Sequence, residues 1–247
     1  MFGKRYWVGL VRGNRWVVAK VSRRKFKLNI HRLSEFDGDN FCPPGMLGEG
    51  IDPDLSKATM ITDLKSWLKT QGVPLNKLQL GISCPGVITR IIVLPILSSK
   101  DLDKLLTEQV DQYFTLNLAD YVVDYRLLDR FEEEGQQRQR VLLAALPKSE
   151  WNRLWNLCQE VGFSPRVVDL AADSIVRFYS KVSERGKKSR KPEVIPDMAI
   201  LDLGKDRVEF VILEHGAFFL YSDLEVSLEG LEEYSKTLSM VEQSSPP

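Results

Sequence analysis

Apolar positions along this chain recur with two periods, and the switches between them mark out its elements. Three runs alternate like strands, at Tyr6 to Val11, Trp16 to Val21 and Phe26 to Arg32, and Gly13-Asn14 is a hairpin turn signal between the first two. Ser34 to Pro53 is rich in Gly, Pro and Asp and reads as a loop. Ala58, Ile61, Leu64 and Leu68 then share one helical face, which predicts a helix from about Leu55 to Gln71 with Gly72 as its C′ residue. Leu78 to Ser83 reads as a short buried strand, and Gly86 to Pro95 as a strand closed by its proline. Ser98 opens the next helix, with Asp101 at the third helical position, close to a capping box. Leu102, Leu105, Leu106, Val110, Tyr113 and Phe114 give that helix an apolar face.

The second half continues in kind. Val122 to Leu128 and Arg140 to Ala145 read as strands, separated by a polar turn over Phe131 to Gln139. Ser149 caps a helix bearing Trp151, Leu154, Trp155, Cys158 and Val161, which Gly162 ends. Arg166 to Leu170 is a strand running into a helix with Ile175, Phe178, Tyr179 and Val182. A charged linker follows from Ser183 to Pro196, then three strand-like runs at Met198 to Leu203, Val208 to Leu213 and Ala217 to Tyr221. Leu224, Leu228, Leu231, Tyr234, Leu238 and Val241 form one helical stripe, predicting a helix within about 225–240.

Composition narrows the chemistry. Lys plus Arg and Asp plus Glu both number 34, so the total charge implies no duplex-binding surface, although a local patch can hide within it. Cys42, Cys84 and Cys158 are odd in number and far apart, which points to reduced thiols rather than a disulfide framework or a zinc site. Cys42 with His31 lacks an orienting third group for thiol catalysis, and Glu132, Glu133 and Glu134 read as solvated carboxylates. Arg90 inside an apolar strand needs a partner, either a carboxylate, with Asp124 as a candidate, or a bound peptide for which it is a rim contact. No run approaches the ~20 apolar residues that span a bilayer, and the expected compartment is the cytoplasm.

The order V-I-x-R-x-I-x-L-P, amphipathic helix, then D-Y-R-L-L resembles the PilM family, actin-fold cytoplasmic proteins of the type IV pilus assembly platform. The resemblance covers most of residues 6–232 and is strongest over 86–170. It implies an α/β fold: an actin-like (ribonuclease H-like) lobe from residues 1–85 and 169–182, with an SHS2-like α+β subdomain inserted over 86–168, as in FtsA. The charged linker is expected over 183–196, and a shortened second lobe with a C-terminal helix over 197–247.

The family's phosphate hairpins pair an aspartate and a glycine with small hydroxyl residues. Gly9 and Gly13 match the first, but Val11 stands at the aspartate and Val18 at a lysine; Asp202 and Gly204 keep the second without its hydroxyls. The resemblance therefore implies a non-catalytic adaptor for which no cofactor is expected, with ATP and magnesium only under an alternative reading. The implied partner is the cytoplasmic N-terminal tail of a PilN-like bitopic membrane protein, which would hold the adaptor at the inner face of the cell membrane. Ile88, Arg90, Ile92, Leu94 and Pro95 are the candidate groove residues. A pilus assembly ATPase and a second copy bound through the second-lobe remnant are further partners, in pilus or competence roles; nucleic acid is not. The alternatives are a nucleotide-dependent actin-fold switch or ATPase, and a GspL-like platform protein of type II secretion.

Overall fold

The computed structural model describes residues 5–24, 27–38, 53–185, 197–203, 208–224 and Gly230. In chain order the elements are β1 (Arg5–Arg12), β2 (Arg15–Arg24), β3 (Lys27–Asp37), α1 (Pro53–Thr70), β4 (Leu78–Ser83), β5 (Ile88–Pro95) and α2 (Ser99–Gln109). There follow β6 (Tyr121–Glu133), β7 (Gln136–Pro147), α3 (Lys148–Val161), β8 (Val168–Leu170), α4 (Ala171–Arg185), β9 (Met198–Leu203), β10 (Val208–Glu214) and β11 (Ala217–Leu224). They fall into two units, residues 1–84 with 149–174, and residues 85–148 with 175–247; α4 straddles the division.

The first unit is built on a five-stranded sheet in the order β3-β2-β1-β4-β8. β1, β2 and β3 form an antiparallel meander, and β4 and β8 join it in parallel. Strict alternation on β1 puts Trp7 and Val11 in the core, and Leu78, Leu80 and Ile82 do the same on β4. Trp16, across from Val11, meets Phe163 edge to face at 6.2 Å, and Phe36 on β3 meets Trp67 of α1 at 5.6 Å. Leu64 and Leu68 of α1 and Cys158 and Val161 of α3 are at most 1% exposed, and burial of each aliphatic side chain contributes about 2 kcal/mol.

The second unit holds a three-stranded antiparallel sheet, β5-β7-β6, with α2 on one face, and a second three-stranded sheet, β11-β10-β9. Leu102, Leu106 and Phe114 pack with Leu94, Val141, Leu143 and Ala145 to close the first of these.

By compactness α3 and β8 group with the first unit and Pro85–Lys148 with the second. The cause is the parallel pairing of β8 with β4, since parallel neighbours need a crossover, and α3 supplies it. The polar stretch Phe131 to Gln139 is not a long turn. β6 and β7 continue through it to a two-residue hairpin at Glu134-Gly135, both at positive φ (52° and 75°). Such a two-sided polar ribbon carries no alternation to announce it. Likewise, β3 runs on to Asp37, into the expected loop. The predicted helix within 225–240 lies outside the described residues.

Candidate functional site

Of the residues expected to mark the phosphate hairpins, Gly9 and Gly13 serve packing and turn geometry. Gly9 lies opposite Val18, and a Cβ on it would stand 2.9 Å from Leu80 Cδ2, so the glycine makes room for β4. Gly13 sits in the β1–β2 turn at φ +58°, the left-handed region that favours glycine. Val11 and Val18, at the positions of the family's aspartate and lysine, are 4% and 0% exposed and belong to the core. Basic side chains near the turn have protein partners: Arg12 Nε donates to Ser83 Oγ (3.1 Å), Arg15 pairs with Glu35, and Arg153 Nη1 donates to Gly13 O (3.3 Å). Asp202 lies on β9 in register with Glu209, half-buried; Gly204 lies outside the described residues, as does Cys42. His31 shares a hydrogen bond with Ser22 Oγ (2.6 Å), and burial pushes the Cys158 thiol up to about 12.

The five groove candidates fall on one strand, but three of them face inward. Ile88 and Ile92 pack against the cluster under α2, and Leu94 belongs to it. That face of β5 is therefore already covered. Pro95 ends the strand, exposed, opposite Arg138. Arg90 is exposed and donates Nη1 to Thr89 O (3.1 Å). Its expected partner Asp124 is on the other side of the sheet: Arg90 shares a row with Leu143 and Tyr125, whereas Asp124 shares one with Ala144 and Thr89. A difference of one residue in register reverses the face.

The concave feature of this sheet lies at its other edge. β6 is an outer strand, and among the described residues no strand pairs with its free side; β5, at the opposite edge, runs close to β11. Between β6 and α2 is a cavity of about 240 Å³. Leu106, Val110, Val123 and Leu143 give it an apolar floor, and Asp103, Thr107, Asp124 and Tyr125 a polar rim. The Tyr125 hydroxyl donates to Asp103 Oδ1, and Asp124 Oδ1 accepts the Tyr125 N–H (2.7 Å). The hydrogen bond to Asp103, desolvation and the negative charges of Asp103 and Asp124 push the phenol up to about 12. An open strand edge beside an apolar notch with an acidic rim can take an extended peptide that pairs with β6 and seats one apolar side chain, with a basic residue nearby. The D-Y-R-L-L pattern contains Tyr125, but neither Tyr125 nor Asp103 stands out in the sequence. The signal was the aspartate on the polar side of the amphipathic helix.

The sheet order of the first unit, with the α+β segment inserted between β4 and α3, is the α/β architecture expected of an actin-like lobe. No family model and no curated protein matches the sequence. Among solved structures, the chain is similar to the PilM-PilN type IV pilus biogenesis complex, with a TM-score of 0.65 and 19% identity over 92% of this chain. It spans 62% of that protein's chain. The cytoplasmic domain of EpsL, an inner membrane component of the type II secretion system of Vibrio cholerae, follows at TM-score 0.47 and 8% identity, over 90% of this chain and 71% of that one. A Bacteroides thetaiotaomicron protein with an actin-like ATPase fold and unknown function follows at TM-score 0.43 and 10% identity, over 99% of this chain and 79% of that one.

Proposed function

We propose that this chain is a non-catalytic adaptor of a type IV pilus or related inner-membrane assembly platform, and that it grips the extended cytoplasmic tail of a PilN-like membrane protein. The observation that carries the reading is the cleft between α2 and the open edge of β6, on a fold shared with a PilM-PilN complex. Main-chain pairing along Tyr121 to Leu127 supplies affinity, and the apolar notch supplies selectivity. Val11 and Val18 in the core support the non-catalytic part, because neither can order a hydrated metal or bind phosphate.

The test is calorimetric titration with peptides from the cytoplasmic tails of single-span proteins encoded beside this gene. Thr107 is exposed on α2 at the lip of the cavity, so Thr107→Trp fills the notch from outside the core. The expected result is binding that weakens about tenfold or more in the variant, the scale of a lost interface anchor, at unchanged melting temperature. No heat with any such peptide, or equal affinity for the variant, overturns the reading.

A further inference from the structure

The end of the first sheet away from the Gly13 turn is a concentrated cationic surface. Register places Arg5 beside Ser22, Trp7 beside Leu78 and Leu80 beside Val168, so the end of β2 and the starts of β1, β3, β4 and β8 form one edge. Among the described residues at this edge, 5–7, 22–24, 27–30, 74–79 and 164–168, there is no Asp or Glu. Arg5, Arg23, Lys77 and Arg166 bring four cations to it, in a chain whose total charge is zero. Arg5, Arg23, Lys77 and Arg166 are exposed. Arg5, Lys77 and Arg166 also surround a cavity of about 560 Å³ floored by Trp7 and Leu78, with no carboxylate in its wall.

Apolar side chains stand out of the same surface. Leu28 shares a row with Arg23, and Ile30 shares one with Val21 and Tyr6. Leu28, Ile30 and Tyr6 are 52%, 61% and 40% exposed, where β-strand residues of this type are ordinarily covered.

We infer that this edge docks on an anionic lipid bilayer, with the cations on phospholipid headgroups and Leu28 and Ile30 at the acyl boundary. Charge complementarity selects an anionic partner. The two aliphatic side chains favour a membrane over nucleic acid, which offers them no apolar phase. The inference is independent of the peptide cleft, which lies in the other unit.

The test is sedimentation of the full chain with vesicles of phosphatidylcholine alone, or of phosphatidylcholine with about 30% phosphatidylserine, at low and at ~0.5 M salt. Binding is expected only to the anionic vesicles and to fall with salt. Each neutralised cation is expected to weaken partition about fivefold, so Arg5→Gln with Arg23→Gln should cost about 25-fold. Leu28→Ser with Ile30→Ser should leave a weaker association that salt abolishes completely. Lys77→Gln with Arg166→Gln gives an independent loss of about 25-fold should the first variant fold poorly. Equal binding to neutral vesicles, unchanged binding of these variants, or capture of duplex DNA without vesicle binding overturns the inference.

Discussion

Tyr125 and Asp103 are the pair on which the chemistry of the cleft can be read most directly. The phenol is held up at about 12, first by its hydrogen bond to Asp103 and then by desolvation and the nearby carboxylates. A phenol whose pKa rises on folding adds stability that is fully present below its ordinary value near 10 and is lost as pH rises from there to about 12. Absorbance titration of the wild type minus Tyr125→Phe is therefore expected to isolate one phenol ionising late. In Asp103→Asn that phenol should ionise earlier, toward 10. A difference curve centred at 10 in the wild type would show that the pair does not hold in solution.

At the scale of elements, α2 is the helix whose start was legible in residues alone. Ser98 Oγ accepts the Asp101 N–H (3.2 Å) and donates to Asp101 Oδ2 (2.6 Å), so the predicted cap is present with its reciprocal side-chain contact. Ser98→Ala is expected to cost about 1 kcal/mol in urea unfolding. It should also loosen hydrogen-exchange protection over residues 99–105 before it affects the first sheet; uniform loosening of both units would place the cap's role elsewhere. The meander, α1 and β4 were legible because their apolar residues repeat with a local period. The parallel pairing of β4 with β8 was not, because it spans more than eighty residues and no local pattern encodes a distant parallel partner. The cleft was hidden for a related reason. Register with β7, and the irregularity between Leu127 and Asp129, decide which side chains of β6 face α2, and one residue of slip would exchange Tyr125 for Asp124. The inward turn of Ile88, Ile92 and Leu94 follows from the same alternation, read without knowing which face the helix covers.

At the scale of the whole molecule, one sheet face lacks a cover among the described residues. In β11-β10-β9, Val211, Leu213 and Tyr221 are buried on one side, where Tyr221 donates to Glu209 (2.9 Å). The other side carries Leu201 and Leu203 on β9, Phe210 and Ile212 on β10, and Leu220 and Leu224 on β11. Leu201 and Leu203 are 63% and 55% exposed, Leu220 and Leu224 38% and 45%. A three-stranded sheet gains independent stability from an apolar face that is packed rather than wet, so this face is expected to take either the apolar stripe of residues 224–241 or a second copy. The stripe is matched by Glu225, Glu229, Glu232 and Glu233 on its opposite side, which suits packing on protein with the acids outward. Gly230 weakens such a helix by ~1 kcal/mol, making it depend on docking. Deletion of residues 225–247 is therefore expected to lower the melting temperature and to produce concentration-dependent association by light scattering. Leu201→Ser with Leu203→Ser should suppress that association, because it removes the surface on which a second copy would pack. A deleted chain that stays monomeric and equally stable would show that the stripe does not cover this face.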